Sequence, residues 1–249
     1  MLRRERVIHC DVHLHHPEFI YCMGQKASTN SDVEASRRYF ASFADDYHEA
    51  FTGGGRQPLH RVINRLFRRK TFQRRTDWVR AILQRHGLKD KSVLDLGCGT
   101  GEVSVLAASL GARVTGLDVV EPMIDLSRRA AATAGVADRT GFAVADIMTA
   151  PLPTADVTLL VGVIEYYEDL PRLLGRACDA TRELLIVVDT RGPLWRRALR
   201  YGLAALKGFH LYYRPADHVA IIVARHGLLE TDRLVGHSFT AMAFTRRPA

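Results

Sequence analysis

Residues 93–101, Val-Leu-Asp-Leu-Gly-Cys-Gly-Thr-Gly, constrain the fold more than any other stretch of the sequence. An apolar strand pattern runs into a turn that holds three glycines, and a helical pattern begins near Glu102. Glycines allow the backbone to turn sharply and to come close to a ligand. A strand that leads through such a turn into a helix is typical of an α/β sheet that binds ligands at the carboxyl ends of its strands.

Strand-like and helical patterns alternate from Lys91 onwards. Strands are predicted at 92–96, 113–118, 142–146, 156–163 and 183–189, and helices at 102–110, 121–134 and 169–180. Near-continuous apolar strands separated by helices predict a parallel sheet that is covered on both faces. Two further strand-like runs within 228–247 flank Gly236-His237-Ser238, a link short enough for an antiparallel pair at the sheet edge.

Two carboxylates near the glycine-rich turn narrow the choice of ligand. Asp118 ends the second strand, about 20 residues after the first glycine, where a carboxylate accepts hydrogen bonds from ribose hydroxyls. Asp95 precedes the first glycine by two residues and would repel a pyrophosphate. The spacing GxGxG also differs from the GxGxxG of dinucleotide-binding turns. A ligand with an amino group and a sulfonium but no phosphate fits this pattern, and S-adenosylmethionine is such a ligand.

Four segments, in this order, resemble the motifs of the class I S-adenosylmethionine-dependent methyltransferases. They are VLDLGCGTG at 93–101, GLDVVEPMI at 116–124, VADIM at 144–148 and DVTLLVGVIEYYED at 156–169. The resemblance covers residues 35–247. It implies an α/β fold with a Rossmann-like seven-stranded sheet, mostly parallel with an antiparallel last strand, helices on both faces and an N-terminal helical lid.

The resemblance also implies how the cofactor is held. Asp95 and the glycine-rich turn would hold the methionine moiety, and Asp118 the ribose. Val119 and Met123 would flank the adenine, whose amino group would meet Asp146 and the Ile147 backbone. For Met123 and Ile147, core packing is an alternative role, and Cys98 is interpreted as a small filler of the turn. The predicted cofactor-binding residues are Asp95, Gly97, Cys98, Gly99, Gly101, Asp118, Val119, Met123, Asp146, Ile147 and Val161.

The segment after the fourth strand, Val163–Tyr167, is expected beside the transferring methyl group. Many nucleic-acid and protein amino-methyltransferases carry Asn/Asp-Pro-Pro-aromatic in this place, so Val-Ile-Glu-Tyr-Tyr argues against methylation of a nucleic-acid base. The segment is closer to quinone-biosynthesis and magnesium-protoporphyrin O-methyltransferases, many of which have Glu-His where this chain has Glu165-Tyr166. Tyrosine is a poor base, since its pKa is about 10. We therefore predict that Tyr166 and Tyr167 line the acceptor site and orient the acceptor.

Other side chains are candidates for acceptor binding and proton removal. The predicted catalytic residues are Tyr166 and His210, with His48 and His237 as weaker candidates for a base. The predicted substrate-binding residues are Tyr39, Tyr47, Tyr166, Tyr167 and Tyr213. Residues 1–30 crowd histidines and cysteines together without the spacing of a metal motif, so we predict a flexible leader and no metal site there. Residues 31–90 are predicted as the helical lid or substrate cap, and 91–249 as the core with a substrate-cover insertion at 193–214.

Charge is concentrated in one part of the lid. Between Arg56 and Arg85 there are ten Lys/Arg and one acid, Asp77, a net charge of +9 against +8 for the whole chain. The apolar residues Leu59, Val62, Ile63, Leu66 and Phe67 fall on one helical face. The first interpretation of this basic amphipathic helix is a packed helix whose charged face is solvated. Peripheral contact with a membrane, binding of an acidic substrate and binding of RNA are alternatives.

We therefore predict an enzyme that transfers a methyl group to a small molecule, O-directed and acting on an aromatic or lipophilic acidic metabolite. An RNA methyltransferase that uses the basic segment is one alternative, and a cofactor-binding protein with a non-methylating reaction is another. No apolar run reaches the ~18 residues of a membrane helix, and the four cysteines lack motif spacing. We expect free thiols and a cytoplasmic location. The oligomeric state is left open.

Overall fold

The computed structural model describes residues 37–38, 69–190, 194–206, 208 and 210–246. They form one seven-stranded sheet in the order β3-β2-β1-β4-β5-β7-β6. The strands are β1 (Ser92–Leu96), β2 (Arg113–Asp118), β3 (Thr140–Val144), β4 (Ala155–Val161), β5 (Thr181–Thr190), β6 (Leu228–Val235) and β7 (Phe239–Arg246). Strands β1 to β5 pair in parallel, and β7 runs antiparallel to both β5 and β6. The predicted fold class is confirmed.

Six longer helices lie in the described part of the chain. They are α1 (Arg69–His86), α2 (Glu102–Ser109), α3 (Glu121–Thr133), α4 (Leu170–Ala180), α5 (Leu194–Leu206) and α6 (Ala216–Arg225). Short 3-10 helices at Ala137–Arg139 and Ile164–Tyr166 lie before β3 and after β4. Asp169 caps α4, because its Oδ1 accepts a hydrogen bond from the backbone N–H of Arg172 at 3.0 Å.

The alternation of side chains along the central strands produces a core on each face of the sheet. On one face, Leu94, Leu160 and Leu185 pack with apolar residues of α4 and α6. On the other, Val93, Leu159 and Ile186 pack with residues of α1, α2 and α3. Because the central strands are buried on both faces, they read as continuous apolar runs in the sequence.

The predicted bounds differ from the structure at the ends of three strands. Strand β3 covers 140–144 rather than 142–146, since the Asp146 carboxylate accepts the backbone N–H of Met148 at 2.8 Å and turns the chain away from the sheet. Strand β4 ends at Val161 rather than at 163, because Gly162 takes a φ of 74°. Strand β5 extends to Thr190, since its partner β7 continues the pairing as far as Phe239.

Several predictions made from the sequence fall outside the described residues. They concern the leader 1–30, the lid residues Tyr39, Tyr47 and His48, and the part of the basic segment before residue 69. The division into lid, core and cover stays a prediction, as does peripheral contact with a membrane. Within the part of the chain that the structure describes, no helix is long and apolar enough to cross a bilayer.

Candidate active site

The glycine-rich turn between β1 and α2 has a backbone that favours glycine at three positions. Gly97, Gly99 and Gly101 have φ values of 74°, 54° and 78°. A Cβ on Gly97 would overlap Val163, whose Cγ1 would lie only 3.1 Å away, and a Cβ on Gly101 would lie 2.9 Å from Ser127. No atom lies within 4 Å of a Cβ on Gly99. The turn is therefore pressed against its neighbours at both ends and open in the middle.

A cavity opens above this turn, at the carboxyl ends of the parallel strands. It brings together nine of the eleven predicted cofactor-binding residues: Asp95, Gly97, Cys98, Gly99, Asp118, Val119, Met123, Ile147 and Val161. The other two, Gly101 and Asp146, are not among its lining residues. Gly101 is the N-cap of α2, and Asp146 holds the turn after β3. Their contact with a cofactor stays a prediction.

Asp95 is the most deeply buried carboxylate of the cavity wall, with 2% of its surface exposed. Burial raises its pKa to about 6, and Asp118 adds to this effect. A hydrogen bond from Ser104 Oγ to Asp95 Oδ2, at 2.6 Å, and the charge of Arg75 act in the opposite direction. A buried carboxylate of this kind is stabilised when a cationic group enters the cavity.

Asp118 connects the turn to the end of β2. Its Oδ2 accepts the backbone N–H of Gly99 and its Oδ1 that of Val120, both at 2.9 Å. Burial raises the pKa of this carboxyl, whereas the backbone hydrogen bonds lower it. Each carboxylate oxygen has two lone pairs, so each can still accept a hydrogen bond from a hydroxyl of a ligand.

Arg75 on α1 is a site residue that the sequence did not reveal. It is 7% exposed, lines the cavity and lies 3.9 Å from Glu102, from its Nη2 to Oε2. Its Nη1 would lie 3.4 Å from a Cβ on Gly162, next to the end of β4. A guanidinium at this place can bind the carboxylate of an amino-acid ligand. Arg37 lines the same cavity. The chain is rich in arginine, and only the packing distinguishes these two arginines from the others.

Cys98 fills space at the base of the turn. Its Sγ would lie 3.1 Å from a Cβ on Gly116, and the residue is buried. Burial raises the pKa of the thiol, and Asp95 and Asp118 raise it further. The thiol therefore stays protonated and is a poor nucleophile, which supports its interpretation as a filler.

Tyr166 and Tyr167 both line the cavity, next to the buried Glu165. The carbonyl oxygen of Glu165 accepts the backbone N–H of Tyr212 at 2.7 Å and so attaches the 210–214 segment to the end of β4. In the cover, the rings of Tyr201 and Tyr213 meet edge to face at 5.2 Å. The Arg197 guanidinium lies 5.1 Å from the Tyr213 ring centroid.

Of the predicted bases, His210 and His237 lie in the described part of the chain, and neither is among the residues that line the cavity. His210 is exposed, with its ring centroid 6.4 Å from that of Tyr212, and it is not among the lining residues. His237 is exposed in the link between β6 and β7. A catalytic role for His210 stays a prediction, as do substrate contacts of Tyr213.

The donor set fits S-adenosylmethionine. Carboxylates at Asp95 and Asp118 suit the amino group, the sulfonium and the ribose hydroxyls, and the Arg75 guanidinium suits the amino-acid carboxylate. The open middle of the turn at Gly99 leaves room for a ligand against the backbone. Both the chemistry of these residues and the shape of the turn are therefore compatible with this cofactor.

We expect cofactor affinity to fall as the pH drops below about 6, the pKa of Asp95. Burial raises this pKa from 3.8 to about 6, so ionisation of Asp95 destabilises the ligand-free protein as the pH rises through this interval. A cationic ligand binds the ionised form, so at pH 5 binding must compete with a proton and should be about tenfold weaker. Calorimetric titration with the cofactor between pH 5 and 8 measures this. An affinity that is equal at pH 5 and 7 would contradict the assignment.

Replacing Arg75 with glutamine should weaken binding of S-adenosylhomocysteine by about tenfold or more, because a charged hydrogen bond is worth roughly 1.5–3 kcal/mol. Binding of 5′-methylthioadenosine, which lacks the amino-acid carboxylate, should change little. Arg74→Gln is the matched control, since Arg74 is exposed on the same helix. Equal losses for the two ligands would show that Arg75 supports the fold of the site and not the carboxylate.

Part of the chain is similar to known methyltransferases. Residues 93–183 match the family model described as a methyltransferase domain. A ubiquinone biosynthesis O-methyltransferase of Methylobacterium nodulans is 38% identical over 96 residues, 38% of each chain. A malonyl-acyl-carrier protein O-methyltransferase of Serratia marcescens is 34% identical over 94 residues, 37% of this chain and 34% of that one. The matches thus span less than half the length of these curated relatives.

Among solved structures, magnesium protoporphyrin IX methyltransferase from Synechocystis PCC 6803 with bound S-adenosylhomocysteine is similar in fold. The TM-score is 0.71 at 20% sequence identity, and the match covers 87% of this chain and 100% of that chain. At this level of identity the likeness concerns the fold.

Proposed function

We propose that this chain, whose residues 93–183 match a methyltransferase domain, transfers the methyl group of S-adenosylmethionine to an oxygen of a small aromatic or lipophilic acid. The position of Tyr166 carries the proposal. Tyr166 lines the cofactor cavity and also packs against the buried pair Ala204 and Leu211 of the cover, as Tyr201 and Tyr213 do. An acceptor next to the methyl group would therefore meet aromatic and apolar surface, with guanidinium groups of the cover close by.

When bound, S-adenosylmethionine would supply a methyl group on a sulfonium; as the S–C bond breaks and the C–O bond forms, the electron pair would return to sulfur, so the neutral leaving group needs no acid. The residues of this chain bind and align the two reactants. Asp95 and Arg75 would hold the amino-acid end, and the aromatic side chains of the cover would exclude water.

If Tyr166 is not the base, the acceptor either arrives ionised or loses its proton elsewhere. No ordinary tyrosine is a base at neutral pH. A carboxylate or an acidic phenol needs no protein base. Arg197 and Arg214 lie over the rings of Tyr213 and Tyr212 and add positive charge to the cover. This is why we propose an acidic acceptor. The names of the similar ubiquinone and malonyl-acyl-carrier protein enzymes, both O-methyltransferases, support oxygen as the acceptor atom.

The test is transfer of label from methyl-labelled S-adenosylmethionine to a panel of acceptors. The panel should contain phenolic acids, hydroxyquinones, aliphatic and aromatic carboxylic acids, tRNA and rRNA. We expect label in acidic small molecules. Label only in RNA would favour the basic segment as an RNA-binding surface and overturn the proposal. Cofactor that binds tightly but is never consumed with any panel member or a cell metabolite extract would favour a non-methylating role.

Tyr166→Phe should keep kcat within about fivefold of the wild type, because a wall residue acts through its ring and a phenol is a poor base. Tyr166→Ala should lower kcat/KM for the acceptor by about tenfold, since the aromatic contact is lost. The two variants are compared in steady-state kinetics with the best acceptor of the panel. Loss of nearly all turnover in Tyr166→Phe with acceptor binding intact would show that the hydroxyl takes part in the chemistry.

A further inference from the structure

The two adjacent tyrosines after β4 belong to different surroundings. Tyr166 is in the small cluster that also contains Ala204, Leu211, Tyr201 and Tyr213 of the cover. Tyr167 packs instead against the large core cluster under the sheet, as do Ala145, Met148 and Leu152 of the segment after β3. Both tyrosines still line the same cavity. The predicted role of an acceptor wall therefore does not apply equally to both.

The local backbone explains this divergence. Tyr166 is the last residue of the 3-10 helix Ile164–Tyr166, and Tyr167 is extended, with φ −115° and ψ 127°. A change from helical to extended backbone sends successive side chains in different directions. Glu165 and Ile164, on the same 3-10 helix, are buried and hold the segment in place.

The charges that act on Tyr167 belong to carboxylates at the end of β2 and just after β3. Burial raises the pKa of its phenol well above the ordinary value, and the carboxylates of Asp146 and Asp118 raise it further. The phenol therefore stays neutral and can donate a hydrogen bond. Asp118 ends β2 and Asp146 follows β3. These are the carboxylates expected to meet the ribose and the adenine of the cofactor.

We propose that Tyr167 is a wall of the nucleoside half of the cofactor site, and that Tyr166 alone of the pair faces the acceptor. Ala145 and Ile147, which follow β3, line the cavity together with Tyr167 and complete this wall. The inference rests on the proposed function only for the identity of the cofactor. It changes the role of Tyr167 from acceptor binding to cofactor binding.

The experiment compares two matched variants, Tyr167→Leu and Tyr166→Leu, by calorimetric titration with 5′-methylthioadenosine. This nucleoside lacks the amino-acid half of the cofactor, so its affinity reports on the nucleoside half alone. We expect Tyr167→Leu to weaken it by about tenfold, the loss of one aromatic contact, and Tyr166→Leu to change it by less than about twofold. Equal affinities of wild type and Tyr167→Leu, or an equal loss in Tyr166→Leu, would overturn the inference.

A second measurement covers the case in which Tyr167→Leu does not fold. In protein labelled with 3-fluorotyrosine, the two nearly isosteric variants Tyr166→Phe and Tyr167→Phe assign one ¹⁹F resonance each. 5′-Methylthioadenosine should shift the Tyr167 resonance and leave that of Tyr166 in place. A shift of Tyr166 alone would overturn the inference. If the wild type binds neither this nucleoside nor S-adenosylhomocysteine, the cofactor assignment itself is wrong. This outcome differs from a failure of the Tyr167 inference, in which the wild type still binds both ligands.

Discussion

Gly97→Ala is expected to lower the free energy of unfolding by about 2–5 kcal/mol, the largest effect on stability that we predict for one added methyl group. Two costs add up. A φ of 74° is unfavourable for alanine, and the new Cβ would overlap the side chain of Val163. Because Val163 lies just after β4 in the described cavity wall, the clash also pushes apart the two strand ends that form the site. Chemical denaturation measures the loss.

Gly87→Ala is a closely matched control. Gly87 has the same φ of 74°, but no atom lies within 4 Å of a Cβ placed on it. It should therefore show only the backbone cost, about 1–2 kcal/mol. Adding Val163→Ala should recover part of the stability of Gly97→Ala, because it removes the methyl groups that clash. Equal losses for the two single variants, with no recovery in the double variant, would show that Val163 does not restrict the turn.

Asp95→Asn is expected to weaken binding of S-adenosylmethionine by about 100-fold, since the cationic half of the cofactor loses its buried carboxylate, an interaction worth roughly 3 kcal/mol. The fold should not suffer. Burial raises the pKa of Asp95 to about 6, so at pH 7 its charge costs stability, and a neutral amide should be equally or more stable. Calorimetric titration and thermal denaturation at pH 7 measure the two effects separately.

Two controls make the Asp95 result specific. Asp125→Asn removes an exposed carboxylate of α3 and should leave cofactor binding unchanged. 5′-Methylthioadenosine, which has neither the α-amino group nor the sulfonium of the cofactor, should bind Asp95→Asn within about threefold of the wild type, because the carboxylate has no cation to stabilise in that complex. An equal loss for the nucleoside would mean that Asp95 shapes the whole cavity. Unchanged binding of S-adenosylmethionine would remove Asp95 from the cofactor site.

The strands and helices of the core were predictable because their patterns are local. Buried strands such as 92–96 and 156–161 read as unbroken apolar runs, and the glycine-rich turn between β1 and α2 was visible from its three glycines. Strand ends were less predictable. The end of β4 depends on Gly162, and the end of β3 on the hydrogen bond that Asp146 accepts from Met148, neither of which changes the apolar pattern.

The site was predictable wherever a residue lies within a motif that belongs to one strand end. Asp95, Asp118, Gly97 and Gly99 are of this kind, and the cavity brings them together. Arg75 was not predictable, since its helix reaches the cavity only through packing against the core, and ten Lys/Arg between Arg56 and Arg85 give no reason to choose one. His210 was singled out for its chemistry alone, and the structure leaves it exposed.

The sequence by itself determined the order of strands and helices, the turn that suits a cofactor without phosphate and the two carboxylates that flank it, because each depends on residues close together in the chain. Only the tertiary structure decided that Arg75 enters the cavity and that Tyr166 and Tyr167 turn to different sides. These features depend on which distant side chains meet. Adjacent residues of the same type carry no signal in the sequence that could tell their surroundings apart.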